Sequence, residues 1–274
     1  MAGHRAPARR PRARSQHALR TRELSAAIVA DACIRRDHVV LDIGAGTGRL
    51  TSELAKRARR VIAVELDPVL AAGLRGRWRN VEVIEGDAAE LALPDEQFRV
   101  VANLPFDRTT DLLHHLLDDP ATPLVRADLV VEWAVAVKRG VPAPSSVNGV
   151  LWGALYETRI ARRLPASAFA PPPATDAGVL VLTRRAEPLV DTEQFSAYRS
   201  FVGQGFRAGP GAVASRRVGS QARELDAYQW ANLFHESTRR AALGRRNRKK
   251  GPSAHRPAGH RTKESLAKRQ RRLP

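Results

Sequence analysis

The chain has 274 residues, is 43% hydrophobic and 27% charged, and carries a formal net charge of +18. That apolar fraction excludes a wholly disordered chain, and the length suits one large domain or one domain with a small appendage. No apolar run approaches the roughly eighteen residues of a membrane span, and the basic N-terminus lacks the apolar core of a secretory leader.

Residues 1–14 hold five Arg and no acid. They read as a basic disordered arm of the kind that neutralises phosphates on nucleic acid. Residues 15–35 predict a helix with Leu24, Ile28 and Val29 on one face. It also carries the single cysteine, Cys33, read as a small buried hydrophobe. One cysteine excludes an internal disulfide and any Cys-based metal cluster.

Short β-rich apolar runs then alternate with helix-length segments. Strands are expected at 38–43, 61–64, 81–84 and 100–102, with helices at about 47–58, 68–77 and 108–118 between and after them. This alternation predicts right-handed βαβ units and a parallel sheet covered on both faces. A fifth strand is expected at 129–133 and a helix at 145–157. Strands at 160–164 and 178–183 lie close enough in sequence to pair as an antiparallel edge. His114 and His115 are adjacent on a helix and point about 100° apart, which argues against a metal pair. Arg162, Arg163, Arg184 and Arg185 flank a Pro-rich loop, either as solvated surface or as phosphate contacts.

Strand signals stop after Arg185. Phe195, Tyr198, Phe201, Val202 and Phe206 have helical spacing, as do Leu225, Tyr228, Trp230, Leu233 and Phe234. A small helical domain over about 187–243 is expected, with these aromatics as its core. Residues 244–274 hold twelve Lys or Arg against one acid, Glu264, and read as a basic disordered tail. The two ends together carry about +16 of the charge, so the body between them is nearly neutral.

Chemistry-bearing residues cluster at strand ends. "LDIGAGTGRLT" (Leu41–Thr51) joins the first strand of the sheet to a helix, and Gly44, Gly46 and Gly48 permit a sharp turn and close approach to a ligand. NAD-binding sheets begin similarly, but their spacing is G-x-G-x-x-G, against G-x-G-x-G here. Glu65 ends the next strand, where a carboxylate can accept both hydroxyls of a ribose. Asp87 follows the third, where a carboxylate can accept from an adenine amino group. Three such ends in succession point to an adenosine-containing cofactor along the carboxyl edge. The fourth strand ends in Asn103-Leu104-Pro105-Phe106.

Together these motifs resemble the Erm family of rRNA adenine N6-methyltransferases, which is related to the dimethyladenosine transferases of small-subunit ribosome assembly. The likeness runs from about Ser15 to Arg240. It is carried in order by "SQHAL" (15–19), "LDIGAGTGRLT", "VIAVELDP" (61–68), "EGDA" (85–88), "NLPF" (103–106), "FAPPPATDAGVLVL" (169–182), "YRSFVGQGF" (198–206) and "YQWANLF" (228–234). The resemblance implies an α/β, Rossmann-like class I methyltransferase domain over 15–186 and a helical RNA-binding domain over 187–243. It implies S-adenosyl-L-methionine as donor and one adenine of 23S rRNA as acceptor, with resistance to macrolides, lincosamides and streptogramin B. By position, Gln16, Gly44, Gly46, Gly48, Glu65, Asp87 and Asn103 hold the cofactor. Asn103 and the backbone carbonyl of Leu104 or Pro105 accept the two hydrogens of the adenine amine, while Phe106 and Phe169 contact the target base.

Two departures stand out: His17-Ala18 replaces the family's usual Asn-Phe, and the Pro-rich motif reads Ala174-Thr175-Asp176. The rival readings are a small-subunit rRNA adenine dimethyltransferase, a DNA adenine methyltransferase and a non-catalytic RNA-binding protein that keeps the fold. Phe106 favours the resistance branch. The protein is expected to be a cytoplasmic monomer without metal or membrane contact. Trimming 1–14 and 244–274 is expected to weaken rRNA binding and flatten its salt dependence. Filter binding across a salt series measures both, and unchanged affinity and slope would refute a role for the arms.

Overall fold

The computed structural model describes residues 17–140, 146–214 and 222–249. Gln16, the arm over 1–14 and the tail beyond Lys249 therefore lie outside the described residues.

Residues expected to open a long helix instead begin with a short strand, β1 (Ala18–Leu19), and helix α1 follows only over Arg22–Asp31. Thr21 sets that start, since its hydroxyl accepts the Leu24 N–H at 3.2 Å and caps the helix. The preceding residues satisfy their backbone elsewhere, by pairing with a second short strand far along the chain. Cys33 falls beyond the end of α1, is exposed and adopts a left-handed φ of 52°, so it is not a buried helical residue.

The alternating pattern then builds the α/β sheet. In chain order come β2 (Val39–Ile43), α2 (Arg49–Ala55), β3 (Arg60–Glu65), α3 (Pro68–Leu74), β4 (Val81–Glu85), β5 (Phe98–Asn103), α4 (Thr109–Leu117) and β6 (Leu124–Glu132). Next are α5 (Trp133–Gly140), α6 (Val147–Leu155), β7 (Tyr156–Leu164), β8 (Phe169–Ala170) and β9 (Ala177–Arg184). The seven-stranded sheet has the order β4-β3-β2-β5-β6-β9-β7. Neighbours from β4 through β6 are parallel, whereas β9 runs antiparallel to both β6 and β7. The expected antiparallel edge is thus present. β1 and β8 form a separate antiparallel pair, with Leu19 opposite Phe169.

The inner strands are mostly apolar because helices cover both faces, whereas the edge strands β4 and β7 carry charged residues. Val39, Leu41 and Ile43 of β2 enter one apolar cluster with Leu112, Leu116 and Trp152, while Val40 enters another with Ile28, Leu54 and Val101. Helix α5 was not anticipated. Its Ala136 packs so tightly on β9 that a Cβ on Gly178 would lie 2.8 Å from it.

After the sheet come α7 (Phe195–Ala208), α8 (Pro210–Ala214) and α9 (Ala227–Lys249). Tyr198, Val202, Trp230 and Phe234 belong to the same apolar cluster as the α4–α6 face of the sheet. Trp230 is fully buried, stacks on Phe206 with ring centroids 5.6 Å apart, and leaves no room for a Cβ on Gly205. One compact unit runs to Ser237, and a second begins at Thr238. Residues 244–249, read from composition as the start of a disordered tail, are helical. Arg and Lys are good helix formers and suit the negative end of the helix dipole, so a charge run alone does not mark disorder. Among the described residues, no helix is long and apolar enough to cross a membrane.

One buried polar contact ties the start of the sheet to its first covering helix. Asp42 on β2 is 1% exposed, and its Oδ2 accepts the Thr51 hydroxyl of α2 at 2.7 Å. Burial pushes its carboxyl up to about 7, partly offset by the Thr51 hydrogen bond and reinforced by the nearby Glu65 charge.

Two outcomes are expected. Trp230→Ala should cost about 3–5 kcal/mol in a urea titration, since it empties a fully buried ring site; a loss below 1 kcal/mol would mean that these helices pack independently of it. For Asp42, the folded state holds a proton from pH 3.8 up to about 7 that the unfolded chain has released. Its stabilising contribution is therefore full on the acid side and disappears as pH rises through about 7. Asp42→Asn should flatten the fall in stability over that range, and midpoints measured from pH 4 to 8 with the wild-type slope would exclude this assignment.

Candidate active site

The chain order climbs outward from β2 to β3 and β4, then returns to β5 on the other side of β2. The carboxyl ends of β2 and β5 therefore flank the switch point, where open α/β sheets bind ligands. Gly44, Gly46 and Gly48 follow β2 with φ of 71°, 56° and 84°, a left-handed run that side chains resist. At Gly48 packing adds to this, since a Cβ there would lie 2.6 Å from Leu74, whereas one on Gly44 would meet Pro105 at 3.6 Å and the Asn103 carbonyl at 3.7 Å in ordinary contact.

Glu65 at the end of β3 is only 3% exposed. Its Oε2 accepts the Gly46 N–H at 2.7 Å, and its Oε1 accepts the Asp67 N–H at 2.9 Å. A carboxylate offers about four lone-pair sites, so two remain for the hydroxyls of a ribose. The residue both shapes the glycine turn and keeps acceptor capacity toward a ligand.

Asp87, just beyond β4, is part-buried. Its Oδ1 accepts the Ala89 N–H at 2.9 Å, and the Arg108 guanidinium reaches Oδ2 at 3.0 Å and Oδ1 at 3.4 Å. The Ala89 N–H, and then Arg108, hold this carboxyl below its ordinary range against an opposing cost of burial. Arg108 is a neighbour that sequence reasoning missed; the only signal was a basic residue two places after Phe106. It lies on the short 3-10 turn Phe106–Arg108 and so connects the Asp87 corner to the aromatic one.

At the end of β5, Asn103 donates from Nδ2 to the His17 carbonyl at 2.8 Å. That bond orients the amide and leaves Oδ1 buried without a hydrogen-bond partner. Native proteins rarely leave such an acceptor unpaired. The Pro105 carbonyl, expected as a possible acceptor for substrate, already receives the Arg108 N–H and the Thr109 hydroxyl, each at 3.0 Å. The turn consumes it, which leaves Leu104 as the backbone candidate.

Phe106 is half-buried. Phe169 meets it edge-on, centroids 6.3 Å apart, and the His17 ring lies tilted at 5.5 Å. Phe169 itself is 0% exposed and locked between β1 and the core, so it supports Phe106 and offers no face for a base. His17 donates from Nδ1 to the Pro171 carbonyl at 2.9 Å. The departure from the family's Asn-Phe thus brings a second ring beside Phe106. The four arginines near the Pro-rich loop are all engaged within the chain. Arg162 pairs with Asp31, Arg163 with Asp176, and Arg185 with Glu157, while Arg184 donates to Tyr156 and the Thr122 carbonyl. His114 bonds Asp118 and Asn148, and among the described residues no acidic, His or Cys group is arranged to hold a metal.

Residues 11–214 match the family model described as ribosomal RNA adenine dimethylase. The chain is 34% identical over 211 residues to the mycinamicin-resistance protein MyrB of Micromonospora griseorubida, covering 76% of this chain and 66% of that one. It is also 34% identical over 247 residues to the ribosomal RNA small subunit methyltransferase A of Synechococcus sp. strain JA-3-3Ab, covering 84% and 88%. The solved structure of the 23S rRNA methyltransferase ErmE superposes with a TM-score of 0.70 at 29% identity, over 81% of this chain and 99% of that one. With a glycine turn, two carboxylates and an unpaired amide oxygen gathered at one switch point, and a family model spanning most of its length, this chain belongs to the ribosomal RNA adenine dimethylase family and is an rRNA adenine N6-methyltransferase.

Proposed function

We propose that the chain methylates N6 of one specific adenine in 23S rRNA, with S-adenosyl-L-methionine as donor, and thereby confers macrolide-lincosamide-streptogramin B resistance in the cytoplasm. The observation that carries this reading is the unpartnered, buried Oδ1 of Asn103, three residues before the half-buried Phe106. An adenine amine presents two hydrogens and a flat face, which are the complements of that acceptor and that ring. The names of MyrB and ErmE support the resistance branch and the 23S substrate.

The donor fits the residues at hand: Gly44, Gly46 and Gly48 form a left-handed turn that side chains resist, open to close approach of a ligand, and the Glu65 carboxylate keeps acceptor sites beyond its two backbone bonds. Asp87 would take the adenine amino group and Asn103 the edge near the methionine, with Gln16 lying outside the described residues. When bound, S-adenosylmethionine supplies a methyl group already activated by its sulfonium. The chain's own residues do the rest. Asn103 Oδ1 and the Leu104 carbonyl accept the two amine hydrogens, which localises the nitrogen lone pair and aims it. Phe106 receives the base, and stacking worth about 1–3 kcal/mol offsets much of the cost of extruding it from RNA. The helices over 187–243 and the basic ends contribute phosphate contacts that set affinity without reading sequence.

Equal identity to the small subunit methyltransferase of Synechococcus favours a second reading, adenine methylation of small-subunit rRNA. Radiolabelled transfer to 23S and 16S rRNA fragments, with mass spectrometry of the product nucleoside, separates the two. The expected product is N6-methylated adenosine on the 23S fragment alone; label on the 16S fragment alone selects the second reading, and any other nucleoside sinks both. Asn103→Ala is expected to lower transfer by about 100-fold or more, while calorimetric cofactor affinity changes far less. Equal losses in both would remove Asn103 from the methyl-accepting role.

A further inference from the structure

A second concave site lies away from the switch point. A cavity of about 350 Å³ opens beside β7 and β9, and it shares no residue with the glycine turn, Glu65, Asp87 or Asn103–Phe106. Its size falls within the roughly 300–1,000 Å³ of small-ligand sites. Arg139, Trp152, Glu157, Arg185, Asp226 and Tyr228 supply its polar and aromatic walls.

These walls are built rigidly. Trp152 donates from Nε1 to Asp118 at 3.0 Å and packs edge-on to His114, with centroids 5.3 Å apart. The Arg139 guanidinium then lies 4.8 Å over the Trp152 ring. On another wall, Arg185 lies 4.7 Å over the Tyr228 ring and donates to both the Tyr228 hydroxyl and Glu157. Asp226 is occupied too, accepting the Gln229 N–H at 2.8 Å to cap α9. So both acids of the cavity are engaged, whereas Arg139 donates only to the neutral Ser146 hydroxyl, at 2.9 Å. Among the described residues no carboxylate pairs with it. Burial alone, without any acidic neighbour to offset it, pulls its guanidinium below the usual value.

A half-buried cation without a counter-charge is costly unless an anion completes it. Tyr228, 52% exposed, is the exposed aromatic ring in the lining of the same cavity. We propose that this cavity binds one phosphorylated nucleotide of the RNA substrate, with its phosphate on Arg139 and its base against Tyr228. A guanidinium is suited to a phosphate through paired N–H donors, and a phenol ring stacks on any base. The site would hold the RNA at a second point, remote from the reacting adenine. The occupant rests on the rRNA reading above; the cavity and its unpaired cation do not.

The test uses binding alone, so its result is independent of whether methyl transfer occurs. The full chain, with the switch-point site saturated by S-adenosylhomocysteine, is titrated calorimetrically with nucleoside 5′-monophosphates and the matching nucleosides. A single-stranded rRNA fragment is followed by fluorescence anisotropy over a salt series. Monophosphates are expected to bind at least about tenfold more tightly than nucleosides. Arg139→Gln should abolish that preference, weaken the RNA about tenfold and lower its log–log salt slope by about 0.7. Arg139→Lys, which keeps the charge but loses the fork, should recover part of it. Tyr228→Ala, at an exposed residue, guards against a folding defect and should weaken monophosphates and nucleosides alike. Monophosphate binding that depends on Arg139 while RNA affinity does not would overturn the RNA assignment in favour of a free nucleotide. No Arg139-dependent binding of either probe would overturn the site.

Discussion

The contact between the backbone after β2 and the backbone after β5 sets everything else at the carboxyl edge. Gly44 approaches Pro105 and the Asn103 carbonyl so closely that a side chain at Gly44 would sit in ordinary contact with both. Parallel pairing of β2 with β5 brings the two turns side by side, and the left-handed glycines let the first turn pass without a wall between them. Glu65 then holds the glycine turn from β3, and the His17 carbonyl holds the Asn103 amide from the N-terminal side. Four segments far apart in sequence are thereby fixed to one another, each tie joining a side chain to a backbone group. Such anchoring restricts the groups at this edge, which suits a reaction governed by alignment.

The regular parts of this arrangement could be read in advance because each rests on a local signal. Strands buried on both faces give unbroken Val and Ile runs, and the glycine spacing declares a turn of positive φ. What escaped the sequence depends on long-range partners. Ala18 and Leu19 look helical by neighbour composition, yet pairing with Phe169 and Ala170 decides their state. Phe169 is assigned to the target base only by its place in the resembling Pro-rich motif, whereas β1 pairs over it and it is fully buried. The Pro105 carbonyl looked available until the following 3-10 turn claimed it. Arg108 carried no motif at all; only the fold brings it to Asp87, twenty-one residues earlier.

Charge is distributed with a similar economy. The chain is strongly basic, yet within the folded body most arginines near the sheet's antiparallel edge are satisfied by acids, carbonyls or aromatic rings. Excess positive charge therefore resides chiefly at the ends, where it acts over a Debye length with little geometric demand. Arg139 stands apart because it lines a cavity without a carboxylate partner among the described residues, and for that reason it is a more informative residue than any in the charge runs.

The unpaired oxygen of Asn103 has a cost in the resting protein. A buried acceptor without a donor destabilises a fold by about 1–3 kcal/mol, a sizeable share of the net stability of a typical domain. Replacement by an apolar residue of similar size would relieve that penalty, but it would also cut the Nδ2 bond to the His17 carbonyl and remove the acceptor proposed to meet the substrate. Residue 103 thus couples the anchoring of the N-terminal segment to the proposed chemistry, and consensus-style stabilisation of this chain should leave that site untouched.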